Sequence, residues 1–134
     1  MKFRLIFLLS VFGLLMGCCT AFWIPAKAEH YIWVFVFVLC AFIISRNAGS
    51  KYLLNGFVLG VLDAVWTICL RLYFYNKYVS LNPRIQQENV KLMEQHVRPA
   101  IAMLATLPLA ALFMGVVQGL FALVLSRFIN GSRK

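Results

Sequence analysis

The chain has 134 residues, 63% of them hydrophobic and 13% charged, against roughly 45–50% apolar and about 25% charged in soluble domains. A soluble domain of this length hides only about two-thirds of its surface, so this much hydrocarbon excludes an ordinary water-soluble enzyme, and it also excludes a disordered chain, which needs low hydrophobicity. Thirteen Lys and Arg against four acids give a formal charge of +9; the basic residues lie mainly between or beside apolar runs, where anionic lipid headgroups are the fitting partner, and without zinc-finger spacing or an RNA-binding aromatic signature no nucleic acid is expected.

The first predicted span covers residues 5–25, opened by Lys2 and Arg4 and closed by Pro25. The basic start and the small residues Ala26 and Ala28 around Lys27 also fit a cleavable signal peptide, and Leu15, Met16, Gly17 and Cys18 resemble a lipoprotein processing site. The apolar stretch is about 20 residues, however, beyond the usual 7–15 of a signal peptide. A retained span is the expectation.

A turn over residues 25–30 then leads to a second span at 30–46. Its apolar run, 31–45, is 15 residues and covers only about 22 Å as a helix, so Glu29, His30 and Arg46 would have to snorkel at its ends. Val34 to Val38 would read as a strand in water. In lipid a lone strand leaves its backbone unpaired, and helix wins.

After a turn at 46–51, the third span takes 52–75. The connection over 76–99 holds most of the polar residues, with Asn82 as a cap and Pro83 at the first helical position. A surface helix at 83–98 follows, amphipathic through Ile85, Val90, Leu92, Met93 and Val97. It would lie on the bilayer or cap the bundle. The fourth span takes 100–128, where Pro108 frees the Leu104 carbonyl. Trp23, Tyr31, Trp33, Tyr73, Tyr75 and Tyr78 cluster near span ends, as interfacial aromatics do, with Trp66 mid-span as the exception. The predicted fold is all-α: one integral membrane domain over 1–134, a transmembrane four-helix bundle with an amphipathic surface helix between the third and fourth spans.

Four spans put both termini on one side. That side holds Lys2, Arg4, Arg46, Lys51, Arg127, Arg133 and Lys134; the other holds Lys27, Lys77, Arg84, Lys91 and Arg98, while Arg71 sits inside a span and should snorkel. Seven against five places both termini in the cytoplasm.

Three spans carry a GxxxG ladder: Gly13 and Gly17, Gly56 and Gly60, and Gly115 and Gly119. Each is extended by a third small residue, Ala21, Ala64 or Ala111. Such spacing lets helix backbones approach closely. Packing within the bundle is expected, with the closest contact between the third and fourth spans; self-association through an outward ladder is the alternative.

Asp63 is the one acid inside a span, and a charge at that depth costs at least about 2.5–3.5 kcal/mol. With antiparallel third and fourth spans, counting from Tyr52 and from Arg127 puts Asp63 and Gln118 at similar depth, and Thr67 is one turn on. Asp63, Thr67 and Gln118 therefore form a candidate proton or cation site. They equally fit interhelical glue, with a protonated Asp63 bonded to Gln118 or Thr67.

Cys18, Cys19, Cys40 and Cys69 lie within apolar runs with no CxxC and no flanking His, so they read as small hydrophobes and no metal or cofactor is expected. His30 and His96 have no nucleophile or carboxylate pair in recognisable spacing, and no phosphate-binding glycine loop is present. No catalytic residue is expected.

From Gly56 onward the chain resembles a family of small four-span bacterial membrane proteins. The likeness rests on Gly56 to Gly60, the aromatic exit Tyr73, Phe74 and Tyr75, then Asn82 and Pro83 leading into a Gln- and Glu-rich helix, Gly115 to Gly119, and a basic tail. The resemblance implies an inner (cytoplasmic) membrane setting and no known activity. The expected role is non-enzymatic, packing against a second copy or a membrane-protein partner; the rival expectation is a small proton- or cation-linked transporter or channel centred on Asp63.

Overall fold

The computed structural model describes residues 2–131, and among them the secondary structure is entirely helical. Arg133 and Lys134, which the charge count used, lie outside the described residues. Four segments are long and apolar enough to cross a membrane. They form the expected all-α bundle, with boundaries and one partner choice that differ from the sequence reading.

Helix α1 spans Phe3–Phe22 and α2 spans Ala26–Asn47. The turn expected at 25–30 is thus confined to Trp23, Ile24 and Pro25, and α2 starts before its apolar run does. Pro25 holds an extended conformation just ahead of the helix. The next residues include two alanines, good helix formers, and Glu29 puts a negative charge in the first turn, where the helix dipole favours it. At 22 residues α2 is about 33 Å long. It needs no snorkelling ends to span the bilayer.

The link to α3, Tyr52–Tyr73, turns on left-handed backbone at Gly49 and Lys51. Asn55 closes it by donating from Nδ2 to the Ser50 carbonyl, at 3.1 Å. A short α4, Tyr75–Leu81, follows α3 directly and was not foreseen. Helix α5 is Pro83–Glu94, four residues shorter than expected, because the chain leaves it through left-handed His96. Pro83 does open α5, but the Asn82 amide donates backward to the Tyr78 carbonyl at 2.8 Å, finishing α4 instead of capping α5.

The fourth span is broken into α6, Pro99–Ala105, and α7, Leu107–Gly131. The break at Thr106 lies where Pro108 cannot donate to Leu104. The Thr106 hydroxyl donates to the Met103 carbonyl at 2.7 Å beside it.

Helix α3 is the centre of the bundle, with α1 packed on one side and α7 on the other, while α2 packs chiefly on α7. Gly56 faces Gly119 and Gly60 faces Gly115, so α3 and α7 run antiparallel. Gly13 meets Asp63 and Gly17 meets Thr67 and Leu70, so α1 and α3 run parallel. The start of α1 and the end of α7 therefore share one end of the bundle. The hairpin pair α1 and α2 makes only light contact.

All three ladders are spent inside. A methyl group on Gly56 would stand 2.8 Å from the Gly119 Cα, and one on Gly60 2.8 Å from the Gly115 Cα. One on Gly13 would stand 2.6 Å from the Asp63 Cα, so the first span approaches α3 as closely as the fourth does. Bulky side chains, among them Phe7, Leu8 and Leu15 of α1 and Leu112, Phe113 and Val116 of α7, face outward. That suits a lipid solvent.

Candidate functional site

Two polar sites emerge, one at mid-span and one at the end of the bundle away from the start of α1. At mid-span Asp63 is fully buried, and neither carboxylate oxygen has a hydrogen-bond partner. Its Oδ1 lies against Gly13, where a side chain on α1 would leave it no room. Cys40 of α2, also fully buried, stands within electrostatic range.

The bond expected from Asp63 to Gln118 or Thr67 is not made. The Thr67 hydroxyl donates to the Asp63 main-chain carbonyl at 2.7 Å and reaches the Gly13 carbonyl at 3.4 Å. Gln118 is also fully buried, but its Nε2 donates across the bundle to the Phe37 carbonyl of α2, at 3.4 Å, and its Oε1 has no partner. Register explains the separation. With Gly56 opposite Gly119 and Gly60 opposite Gly115, Gln118 stands level with Phe57, six residues or about 9 Å from Asp63 along α3. Counting depth from the span ends puts level a pair that stands more than one helical turn apart.

The predicted trio is therefore split between two sites. Asp63 and Thr67 seat α1, and Gln118 ties α7 to α2. A second tie between α7 and α2 comes from Ser45, whose hydroxyl reaches the Ala122 carbonyl at 3.3 Å as well as its own-helix Ala41 carbonyl at 2.6 Å. An unpaired buried acceptor costs about 1–3 kcal/mol, so Asp63 and Gln118 are expensive in their present places. Chemically, a carboxyl sealed from the surface can hold a proton. Its ionisable neighbour is the Cys40 thiol, whereas proton relays in membranes are chains of Asp, Glu and His.

The second site was missed. Arg71, near the end of α3, does not snorkel: it turns inward and pairs with Glu29 of α2, and both side chains are largely buried. The indole of Trp33 donates to the same Glu29 Oε1 at 3.0 Å, and the Arg71 guanidinium stacks 5.0 Å from the centre of the Tyr78 ring. The ring face attracts the cation, and the second donor satisfies more of the carboxylate's lone pairs, as a buried pair requires. The Arg71 Nε remains without a partner.

Arg71 also forms part of the wall of a half-open cavity of about 320 Å³ between α3, α4, α5 and α6. Helix α5 turns Ile85, Asn89 and Leu92 toward it, at spacings of four and three, while Val90, Met93 and Val97 stay exposed. The expected apolar stripe is thus two stripes. Asn89 Nδ2 donates to the Tyr75 hydroxyl at 2.7 Å, pinning α5 to α4. Burial pushes the Tyr75 phenol pKa up, and the Asn89 bond opposes that in part. The signal in the sequence was available: one acid near the start of the second span and one base near the end of the third must meet at the same end of an up-and-down bundle.

No family model matches this chain, and no curated protein or solved structure matches it. The functional reading rests on the residues and their geometry.

Proposed function

We propose that the chain is a small multi-pass protein of a bacterial inner membrane, with both termini cytoplasmic, and that its role is packing and interaction instead of catalysis. The observation that carries this reading is the sealing of Asp63 against the main chain of Gly13, with the glycine ladders of α1, α3 and α7 consumed in the same core. A carboxyl so enclosed serves helix packing, and partners are left to the outward apolar faces and the surface helices. The +9 charge adds attraction to anionic headgroups at the membrane surface.

One observation favours a second reading, in which Asp63 binds a proton or cation during transport: both of its oxygens are unpartnered. Proteoliposomes carrying the full chain and an internal pH dye separate the two. The packing reading expects proton movement no faster than in empty liposomes under an imposed gradient. Movement that wild type supports and Asp63→Asn abolishes would establish transport instead.

A further inference from the structure

We propose that the cavity between α3, α4, α5 and α6 is the binding site for one membrane glycerophospholipid, its phosphodiester held near Arg71 and Tyr75 and its upper acyl chain lying against α6. The cavity straddles two environments. Ile68, Ala102 and Ala110 belong to the spanning segments, whereas Tyr75, Glu88 and Asn89 belong to the surface connection. An occupant must be apolar at one end and polar at the other, and in a bilayer the molecule of that kind at high concentration is a lipid. At about 320 Å³ the space is at the small end of the range for ligand pockets, about 300–1,000 Å³. It holds the head and the beginning of a chain, leaving the rest of the lipid in the bilayer.

The polar end offers hydrogen-bond donors without net charge. Arg71 is already neutralised by Glu29, and Glu88 on the opposite wall is paired with Arg84 at 3.1 Å. Arg71 lines the cavity with its side chain 15% exposed, and because Tyr75 accepts its bond from Asn89, the phenol proton is left to donate. Two donors beside an apolar wall suit a phosphodiester, whether the whole head is zwitterionic or anionic. The selectivity that follows is for phosphate over its absence, and little between phosphate heads. This inference is independent of whether Asp63 transports protons, since the two sites share no residue.

Native mass spectrometry of the purified full-length chain, supplied with phosphatidylethanolamine, phosphatidylglycerol or diacylglycerol of the same acyl chains, tests it. One phospholipid per chain should be retained, with the two phosphate heads within about threefold of each other and diacylglycerol about tenfold weaker, the loss expected for one charge-assisted hydrogen bond. Ala102→Phe should fill the apolar end and remove retention while thermal melting is unchanged. Tyr75→Phe keeps the ring but gives up the Asn89 bond, so it is read against Asn89→Ala, which gives up the same bond and keeps the phenol: Tyr75→Phe should weaken retention several-fold more than Asn89→Ala, and this decides the matter if Ala102→Phe fails to fold. Equal retention of diacylglycerol, equal retention by wild type and Tyr75→Phe, no retained lipid in wild type, or a dimer that Ala102→Phe dissolves without a change in lipid would each overturn the proposal.

Discussion

Arg71 and Glu29 meet across the bundle, one from the last turn of α3 and the other from the first turn of α2, and they bring Trp33 and Tyr78 with them. The pair clamps the end of the bundle at which the connecting helices dock.

Breaking this pair on one side should be costly. Glu29→Gln leaves the guanidinium buried without its counter-charge, and Arg71→Met does the same to the carboxylate. Either should lower stability by about 3–5 kcal/mol, whereas Glu29→Gln combined with Arg71→Met should recover most of it. A double-mutant cycle on thermal melting in detergent measures the coupling; additive losses would mean the pair contributes nothing as a pair.

Glycine substitutions should rank by what each new methyl meets. At Gly60 the obstacle is main chain of α7 at the Met114 carbonyl, and at Gly13 it is the Asp63 Oδ1 at 2.5 Å with the Asp63 Cα behind it at 2.6 Å; main chain cannot swing aside. At Gly115 the nearest atoms belong to the Phe57 ring, 2.9 Å away. Gly13→Ala and Gly60→Ala should therefore each cost about 1–3 kcal/mol, and Gly115→Ala should cost less. Melting temperatures of the three variants would show it, and a Gly115→Ala loss equal to the others would refute the ranking.

Asp63→Asn should be mild. The amide matches the carboxyl in size, and no side-chain hydrogen bond is lost because none is made. The change should stay below about 1 kcal/mol, comparable with average interhelical bonds. Asp63→Leu is a harder fit against Gly13 and should cost more. A large loss with Asp63→Asn would reveal an interaction of the carboxylate that packing alone does not provide.

Topology is open to direct labelling. Tags at residue 134 and within the 76–99 connection should be reached from opposite faces of the membrane, with the former on the cytoplasmic side, the side that the count of Lys and Arg favours. Periplasmic labelling at residue 134 would reverse the orientation of the whole bundle.

Much of the architecture was legible in the sequence because hydrocarbon length and small-residue spacing are local signals. The four spans, the buried ladders and the helix after Asn82 and Pro83 all follow from them. What was not legible depended on register. Where α2 begins decides whether Glu29 faces water or Arg71, and that start lies in a segment, Ala26 to Glu29, whose two charged residues lead hydropathy to assign it to a turn. Likewise, the depth of Gln118 relative to Asp63 depends on which glycines face each other across α3 and α7. Of the apolar residues of α5, Ile85 and Leu92 turn inward on the face of Asn89, which bonds to Tyr75, while Val90 and Met93 stay exposed; that pairing is one no periodicity announces.

The light contact between α1 and α2 bears on how the protein is made. A chain emerging into the membrane would normally close each hairpin as it is completed, yet here the contacts that matter bridge distant stretches: Thr67 reaches back to Gly13, and Ala122 to Ser45. The first two helices must wait in the bilayer largely unpartnered, and α2 gains its main neighbour only when α7 arrives. A nascent chain halted before residue 107 would hold α2 and one whole face of α3 bare. Such intermediates are the ones that membrane proteases and insertion chaperones would meet, and the speed of the last span's entry governs how long they are exposed.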